Sequence, residues 1–194
     1  MLKTIVFFTV LFITLGAALL ILDSPDAILG DDESQQIAAQ AIPHSVAHNT
    51  VTKHYTEDGV LSYSFDANIL EYYRVKKENH PTEDFTLIKS LRLTVYQNRR
   101  PWLIRAKEGK ITDNGQTLIL WDDVVLRHTS DEGNVTELQT SRLTIKPEEK
   151  IAETDQVVHI KSRNVELKGE GMRADMKSEK IHLLSKVEGF YDPI

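Results

Sequence analysis

The segment LSYSFDANI, residues 61–69, decides the fold class, because large apolar side chains alternate in it with polar ones. A period of two places the apolar side chains on one face of a β-strand and the polar side chains on the other. The same alternation recurs at residues 91–95, 102–106, 143–145 and 165–167. Residues 51–194 contain no convincing run of apolar residues at helical spacing, so this region is predicted to be all-β.

Turn-forming residues separate these segments at short intervals, as in EDG at residues 57–59 and DEG at residues 131–133. The clearest turn is Asp113-Asn114-Gly115, since Asn-Gly suits the two central positions of a type I′ turn, where φ is positive twice. Many short strands with frequent turns and no crossover helices predict an antiparallel sandwich or barrel.

A weak repeat runs through the later part of the chain, in which an aliphatic residue precedes a valine by six positions. The pairs are Leu118 and Val124, Ile151 and Val157, and Ile181 and Val187, each with a polar residue two positions before the valine: Asp122, Asp155 and Ser185. We interpret each copy as part of a bent strand pair, with the polar residue at the bend.

The N-terminal part has a different character, because Thr4 to Leu22 contains no charged residue and no proline. As a helix this run would be about 28 Å long, which matches the hydrocarbon core of a bilayer. Lys3 precedes it and acidic residues follow it, which predicts a cytoplasmic N-terminus. A cleaved signal peptide is the alternative, because Gly16-Ala17-Ala18 offers small residues, but the apolar run continues beyond any cut there.

We therefore predict four regions: a cytoplasmic N-terminus at residues 1–3, a transmembrane helix at 4–22, a linker at 23–50, and an extracytoplasmic β-domain at 51–194. The linker has few large apolar residues, so it cannot bury enough surface to offset its ordering entropy.

The sequence carries no pattern typical of an enzyme, a metal site or a cofactor site. The absence of cysteine excludes disulfides and thiolate ligands, and the net charge of −6 argues against nucleic-acid binding. The phosphate-binding loops and the nucleophile elbow are absent, and the seven histidines show no metal-ligand spacing. Adjacent acidic residues such as Asp122 and Asp123 point to opposite faces of a strand unless the strand bends there. The inward apolar residues form either a closed core or, if the layers splay along one side, a slot for acyl chains.

A set of short motifs, taken in order, resembles one family. They are LSY at residues 61–63, EYY at 71–73, LTVY at 93–96, W-x-I-x-A at 102–106, L-x-L-x-x-D-V at 118–124, GMRAD at 171–175, and a final Tyr191. With the N-terminal anchor, this layout resembles the LptC family, the bitopic inner-membrane component of the lipopolysaccharide export machine of Gram-negative bacteria. Asp122 departs from the pattern, since the family often has glycine there.

The resemblance implies a twisted antiparallel β-jellyroll, open along one side, that holds the acyl chains of lipopolysaccharide without any enzymatic activity. The candidate lipid-binding residues are Phe65, Phe85, Leu93, Ile104, Leu120, Val124, Leu143, Ile145, Val157, Ile181, Leu183 and Tyr191. It also implies two docking edges, one towards an inner-membrane ABC transporter (Val51, Lys53 and Tyr55) and one towards a periplasmic bridge protein of similar fold (Ile181, Leu183 and Tyr191). The alternative functions are a structural adaptor with a closed core and an envelope carbohydrate hydrolase with convergent carboxylates.

Overall fold

The computed structural model describes residues 42–75, 83–96, 100–112 and 115–191, and its regular elements there are nine β-strands. The strands are β1 Ser45–Tyr55, β2 Leu61–Val75, β3 Glu83–Val95, β4 Trp102–Thr112, β5 Thr117–Thr129, β6 Val135–Lys146, β7 Ile151–Ser162, β8 Val165–Asp175 and β9 Lys180–Tyr191. Neighbours in sequence are neighbours in one antiparallel sheet, from β1 to β9. Short connections, such as Arg163-Asn164 between β7 and β8, favour this order because each strand pairs with the one before it.

The all-β antiparallel prediction is confirmed, and the structure corrects the predicted pair of sheets to a single continuous sheet. The first strand begins at Ser45, so residues 45–50 of the predicted linker belong to the sheet. The predicted transmembrane helix, the first part of the linker, and Asp113-Asn114 of the predicted type I′ turn lie outside the described residues. Across the ranges that the structure describes, no helix is long and apolar enough to cross a membrane.

A line of bends crosses the sheet near the middle of the strands. The backbone is left-handed there at Asn49, Ser90, Asp122, Asp123 and Lys186. The strand register also shifts in each pairing from β4–β5 to β8–β9. Such bulges turn a strand and increase its twist, which lets one sheet wrap around its own inner face. The interpretation of the repeat is confirmed here: Asp122 and Asp155 lie inside register shifts, and Ser185 precedes Lys186 at another.

The strained bend at Asp122 leads to a first prediction. Its φ of 60° is a left-handed conformation that favours glycine, because a Cβ crowds the following carbonyl. We expect Asp122→Gly to raise the free energy of unfolding by up to about 1 kcal/mol, as measured by chemical denaturation. Asp66→Gly on β2 is the matched control, because Asp66 does not have a left-handed backbone. This change should lower the free energy of unfolding by about 0.5–1 kcal/mol. Equal losses in both variants would show that Asp122 is not strained.

The inner face of the sheet buries one continuous core. Its members, drawn from β2 through β8 and the turn after β8, include Phe65, Leu93, Trp102, Leu138 and Met176. Apolar burial on this scale is the main favourable term in folding, at roughly 25 cal/mol per Å² of apolar surface removed from water.

Two hairpin turns close this core by contacting distant strand ends. In the β6–β7 turn, Glu148 lies 3.0 Å from His54 at the end of β1, and the Lys150 ammonium donates to the Tyr96 carbonyl after β3. Burial and then the Glu148 carboxylate raise the pKa of Tyr63 in this region. In the β8–β9 turn, Glu179 lies 3.4 Å from His128 at the end of β5. Each turn contacts the ends of strands that lie several positions away in the sheet order, so the sheet coils over itself.

Candidate functional site

The apolar inner face brings together most of the predicted lipid-binding residues. Phe65, Leu93, Ile104, Leu120, Val124, Leu143 and Ile145 are buried in the core cluster, and Ile181 and Leu183 pack against it. Their side chains come from strands β2–β6 and β9, because each strand presents alternate residues inward. This inner face is therefore the candidate functional site.

The middle of the interior is filled by side chains. Leu120, Leu143 and Ile145 are 0% exposed, so no open slot passes through this layer. Half-buried apolar side chains pack against this core at its margins: Leu70 on β2, Ile111 on β4, Leu167 on β8, and Ile181 and Leu183 on the last strand. An apolar surface that is buried centrally and partly accessible at its margins, including β9, fits either a closed core or a slot that opens from the β9 edge.

The opposite edge of the interior is polar. Thr52 pairs with inward Phe65, and His54 pairs with inward Tyr63, so both β1 residues lie on the inner face. The His54 ring stacks on the Tyr63 ring, with centroids 4.7 Å apart. The apolar interior thus ends at β2 on this side and continues to β9 on the other.

Phe85 is buried, but on the other face of the sheet. It lies three residues before inward Ile88 in a stretch of β3 without a register shift, so its side chain points outward. There its ring stacks on Tyr73 at 5.1 Å, and the Lys110 ammonium lies 5.0 Å from its centroid. The inward assignment was wrong because the bend at Ser90 separates Phe85 from the alternation that Leu91 and Leu93 define.

Val157 and Tyr191 are exposed, at 45% and 63%, and neither lies in the core. On β7 the core residues are Ala152, Val158 and Ile160, and the first two each stand next to an aliphatic residue of the repeat, Ile151 or Val157. A slip of one residue moves a side chain to the opposite face, and adjacent apolar pairs leave that choice open in the sequence. Tyr191 ends β9, beyond the part of the strand that covers the core.

The list of candidate lipid-binding residues omits several inward residues that complete the site. Trp102, Leu118, Leu126, Leu138, Met172 and Ala174 are all buried in the cluster. Each of them either stands two or four positions from a candidate lipid-binding residue on the same strand or pairs with an inward residue of the neighbouring strand. A period-two search that restarted after every bend would have found them.

Both edge strands lack a second partner in the part of the chain that the structure describes. On β1 the predicted docking residues Val51, Lys53 and Tyr55 are exposed. On β9 Ile181 and Leu183 turn inward, and Tyr191 is exposed. The other exposed apolar residues of β9 are Leu184, Val187 and Phe190. Unpaired N–H and C=O groups beside such side chains can template another strand.

The outer face carries a trough of about 1070 Å³ along the line of bends, lined by both charged and apolar side chains. Asp122 and Asp123 both line this trough, because the bulge overrides the alternation that would separate them. A hydrogen bond from Lys107, at 2.5 Å, holds the pKa of Asp123 below its ordinary value. Asp123 is therefore ionised at neutral pH, whereas carbohydrate hydrolysis needs a carboxylic acid of raised pKa as proton donor. No group of metal-ligating side chains occurs within the described ranges.

Comparison with known proteins adds an independent finding. Residues 9–192 match the family model described as "Lipopolysaccharide-assembly, LptC-related". The chain is also similar to the "Lipopolysaccharide export system protein LptC" of Escherichia coli K12, with 23% identity over 182 residues, covering 93% of this chain and 91% of that protein. The proteins of the same name from Escherichia coli O157:H7 and Shigella flexneri give the same identity and coverage.

Proposed function

Because the chain belongs to the LptC-related family of lipopolysaccharide-assembly proteins, we propose that its β-domain is a non-enzymatic conduit for lipopolysaccharide. It binds the acyl chains and passes the lipid from an inner-membrane ABC transporter to a periplasmic bridge protein. Residues 4–22 anchor it in the inner membrane as a single span, with the N-terminus in the cytoplasm and the β-domain in the periplasm. No resident cofactor takes part.

One observation carries this proposal: the apolar interior extends across every strand from β2 to β9, whose outer edge is unpaired among the described residues. Exposing one methylene group to water costs about 0.8 kcal/mol, so several acyl chains need continuous apolar cover to cross an aqueous space. Half-buried Ile181 and Leu183 at this edge are the first surface that an entering chain would contact. The buried layer behind them would part to admit it.

The two edges support a role in assembly. Strand addition to β1 would join the transporter, and strand addition to β9 would join the bridge protein, so that the apolar interior runs from one partner into the next. The exposed apolar residues of β9 fit such a junction, because they would be buried once a partner strand is added. The transfer energy would come from the transporter.

A structural adaptor without lipid binding is the second candidate. The complete burial of Leu120, Leu143 and Ile145 favours it, because a packed interior has no space for an acyl chain. In that case the edges would be the whole function of the domain.

Site-specific photo-crosslinking separates these candidates. We expect a photoreactive residue at inward Ile104 or Leu143 to capture lipopolysaccharide during transport in cells. The outward neighbours, Arg105 and Thr144, are matched controls on the same strands and should remain unlabelled. Half-buried Leu183 gives a third inward position that causes less overpacking. The conduit would be contradicted by equal labelling of inward and outward positions, or by the absence of labelling at every inward position tested.

A further inference from the structure

Two buried side chains with polar ring nitrogens, Trp102 and His128, lie in the apolar interior at the end formed by β4 and β5. The Trp102 indole nitrogen and both ring nitrogens of His128 are buried and have no hydrogen-bond partner. The two rings stack with centroids 4.2 Å apart and an angle of 13° between their planes. Buried polar groups are nearly always hydrogen-bonded, so three unpaired nitrogens at one point require an explanation.

Both rings face the interior. Trp102 belongs to the core cluster, and His128 is two residues beyond inward Leu126 in a stretch of β5 without a register shift. They therefore lie where a molecule that enters the apolar interior would meet polar groups at this end of the sheet. An unpaired N–H in such a place is costly unless an acceptor enters.

The group that faces this spot is a carboxylate. The Glu179 Oε2 atom lies 3.4 Å from the His128 Nε2 atom, beyond the usual length of a hydrogen bond. Glu179 belongs to the β8–β9 turn, has a left-handed φ of 55°, and is partly exposed. A turn residue thus presents a carboxylate oxygen to the buried rings without completing a hydrogen bond, which indicates that this spot accepts an oxyanion.

We propose that Trp102 and His128 form an oxyanion subsite that holds a phosphate group of the bound lipid, with Glu179 as its internal competitor. The inference rests on the proposed function, since the lipid must enter the interior to reach the subsite. The Trp102 Nε1–H and a His128 N–H donate to phosphate oxygens, and the Glu179 carboxylate moves outward with its turn. Hydrogen bonds to a charged acceptor are stronger than those between neutral groups, so the phosphate gains a clear preference.

Two lipids with identical acyl chains test this subsite: phosphatidic acid, which has a phosphate head group, and diacylglycerol, which has none. The full chain carries two tryptophans, so Trp121→Phe leaves Trp102 as the sole fluorophore. Brominated acyl chains, presented in micelles of one neutral detergent, quench an indole only at short range. We expect phosphatidic acid to quench Trp102 at concentrations about tenfold lower than diacylglycerol.

Variants in the same background assign the preference to residues. His128→Phe keeps the stacked ring and should abolish the preference for phosphatidic acid. Glu179→Gln removes the competing charge and should tighten phosphatidic acid several-fold, while diacylglycerol binding stays unchanged. Lys107→Gln, an exposed change on the outer face, is the control and should alter neither lipid.

The outcomes separate this inference from the conduit itself. Equal quenching by both lipids would overturn the subsite and leave the conduit standing, whereas no quenching by either lipid would overturn both. Inorganic phosphate is added as a competitor at concentrations equal to the lipid. Relief of quenching would assign the free ion as the ligand and overturn the lipid version; we expect none. If His128→Phe lowers the thermal midpoint, His128→Gln tests the same loss with a polar side chain.

Discussion

Replacing Leu143 by Arg should abolish cooperative folding of the β-domain. Leu143 is 0% exposed and lies opposite Leu120 in the most deeply buried layer of the core. Loss of a buried leucine alone costs about 2–5 kcal/mol, and an unpaired buried charge adds several more. The sum approaches the 5–15 kcal/mol of stability that an ordinary domain possesses. Thermal unfolding followed by far-ultraviolet circular dichroism measures the result.

Gln139→Arg is the matched control for this change. Gln139 lies on the same strand but is exposed, so the same guanidinium should leave the unfolding midpoint nearly unchanged. A Leu143→Arg protein that folds normally would show that the interior can open at this layer in the absence of lipid. Such a protein would be expected to block lipopolysaccharide transport instead.

The alternation of residues 61–69 was sufficient to predict the fold class, because a segment with one apolar face and one polar face at a period of two is typical of a β-strand. It could not predict that one sheet, not two, encloses the core. Alternation records only that a face is buried, and both arrangements bury the same face. Whether one sheet wraps around the core depends on the bends in its strands. The polar residues at these bends, such as Asp122 and Ser90, are of types that also occur in ordinary turns, so the sequence does not distinguish the two.

In the candidate site, too, alternation predicts which side chains face inward within an unbent run, and a bend changes which face the following residues occupy. Ile104, Leu143 and Ile145 were assigned correctly because each stands in an uninterrupted alternating run. Phe85 and Val157 were assigned to the wrong face because a bend or an adjacent apolar pair resets the phase. Trp102 and His128 could not be recognised as a pair, since their contact depends on the stacking of two strand ends.

Charging the two edge strands should uncouple the protein from its partners one at a time. Val187 and Phe190 on β9 are 55% and 67% exposed, so replacing both with Lys should change the free energy of unfolding by no more than about 0.5 kcal/mol each. A partner strand added to this edge would bury both side chains, and the introduced ammonium groups would then lose their hydration. We expect affinity for the periplasmic bridge protein to fall at least about tenfold, measured with purified full-length proteins.

Val51→Lys on β1 is the reciprocal change, because Val51 is similarly exposed, at 65%, but on the opposite edge. It should weaken association with the ABC transporter and leave the bridge protein bound, whereas the β9 variant should show the converse. This double dissociation follows from the sheet order, in which β1 and β9 are the two edges. Loss of both partners from either variant would show that the edges are not separate docking sites, and loss of neither would remove strand addition from the proposed mechanism.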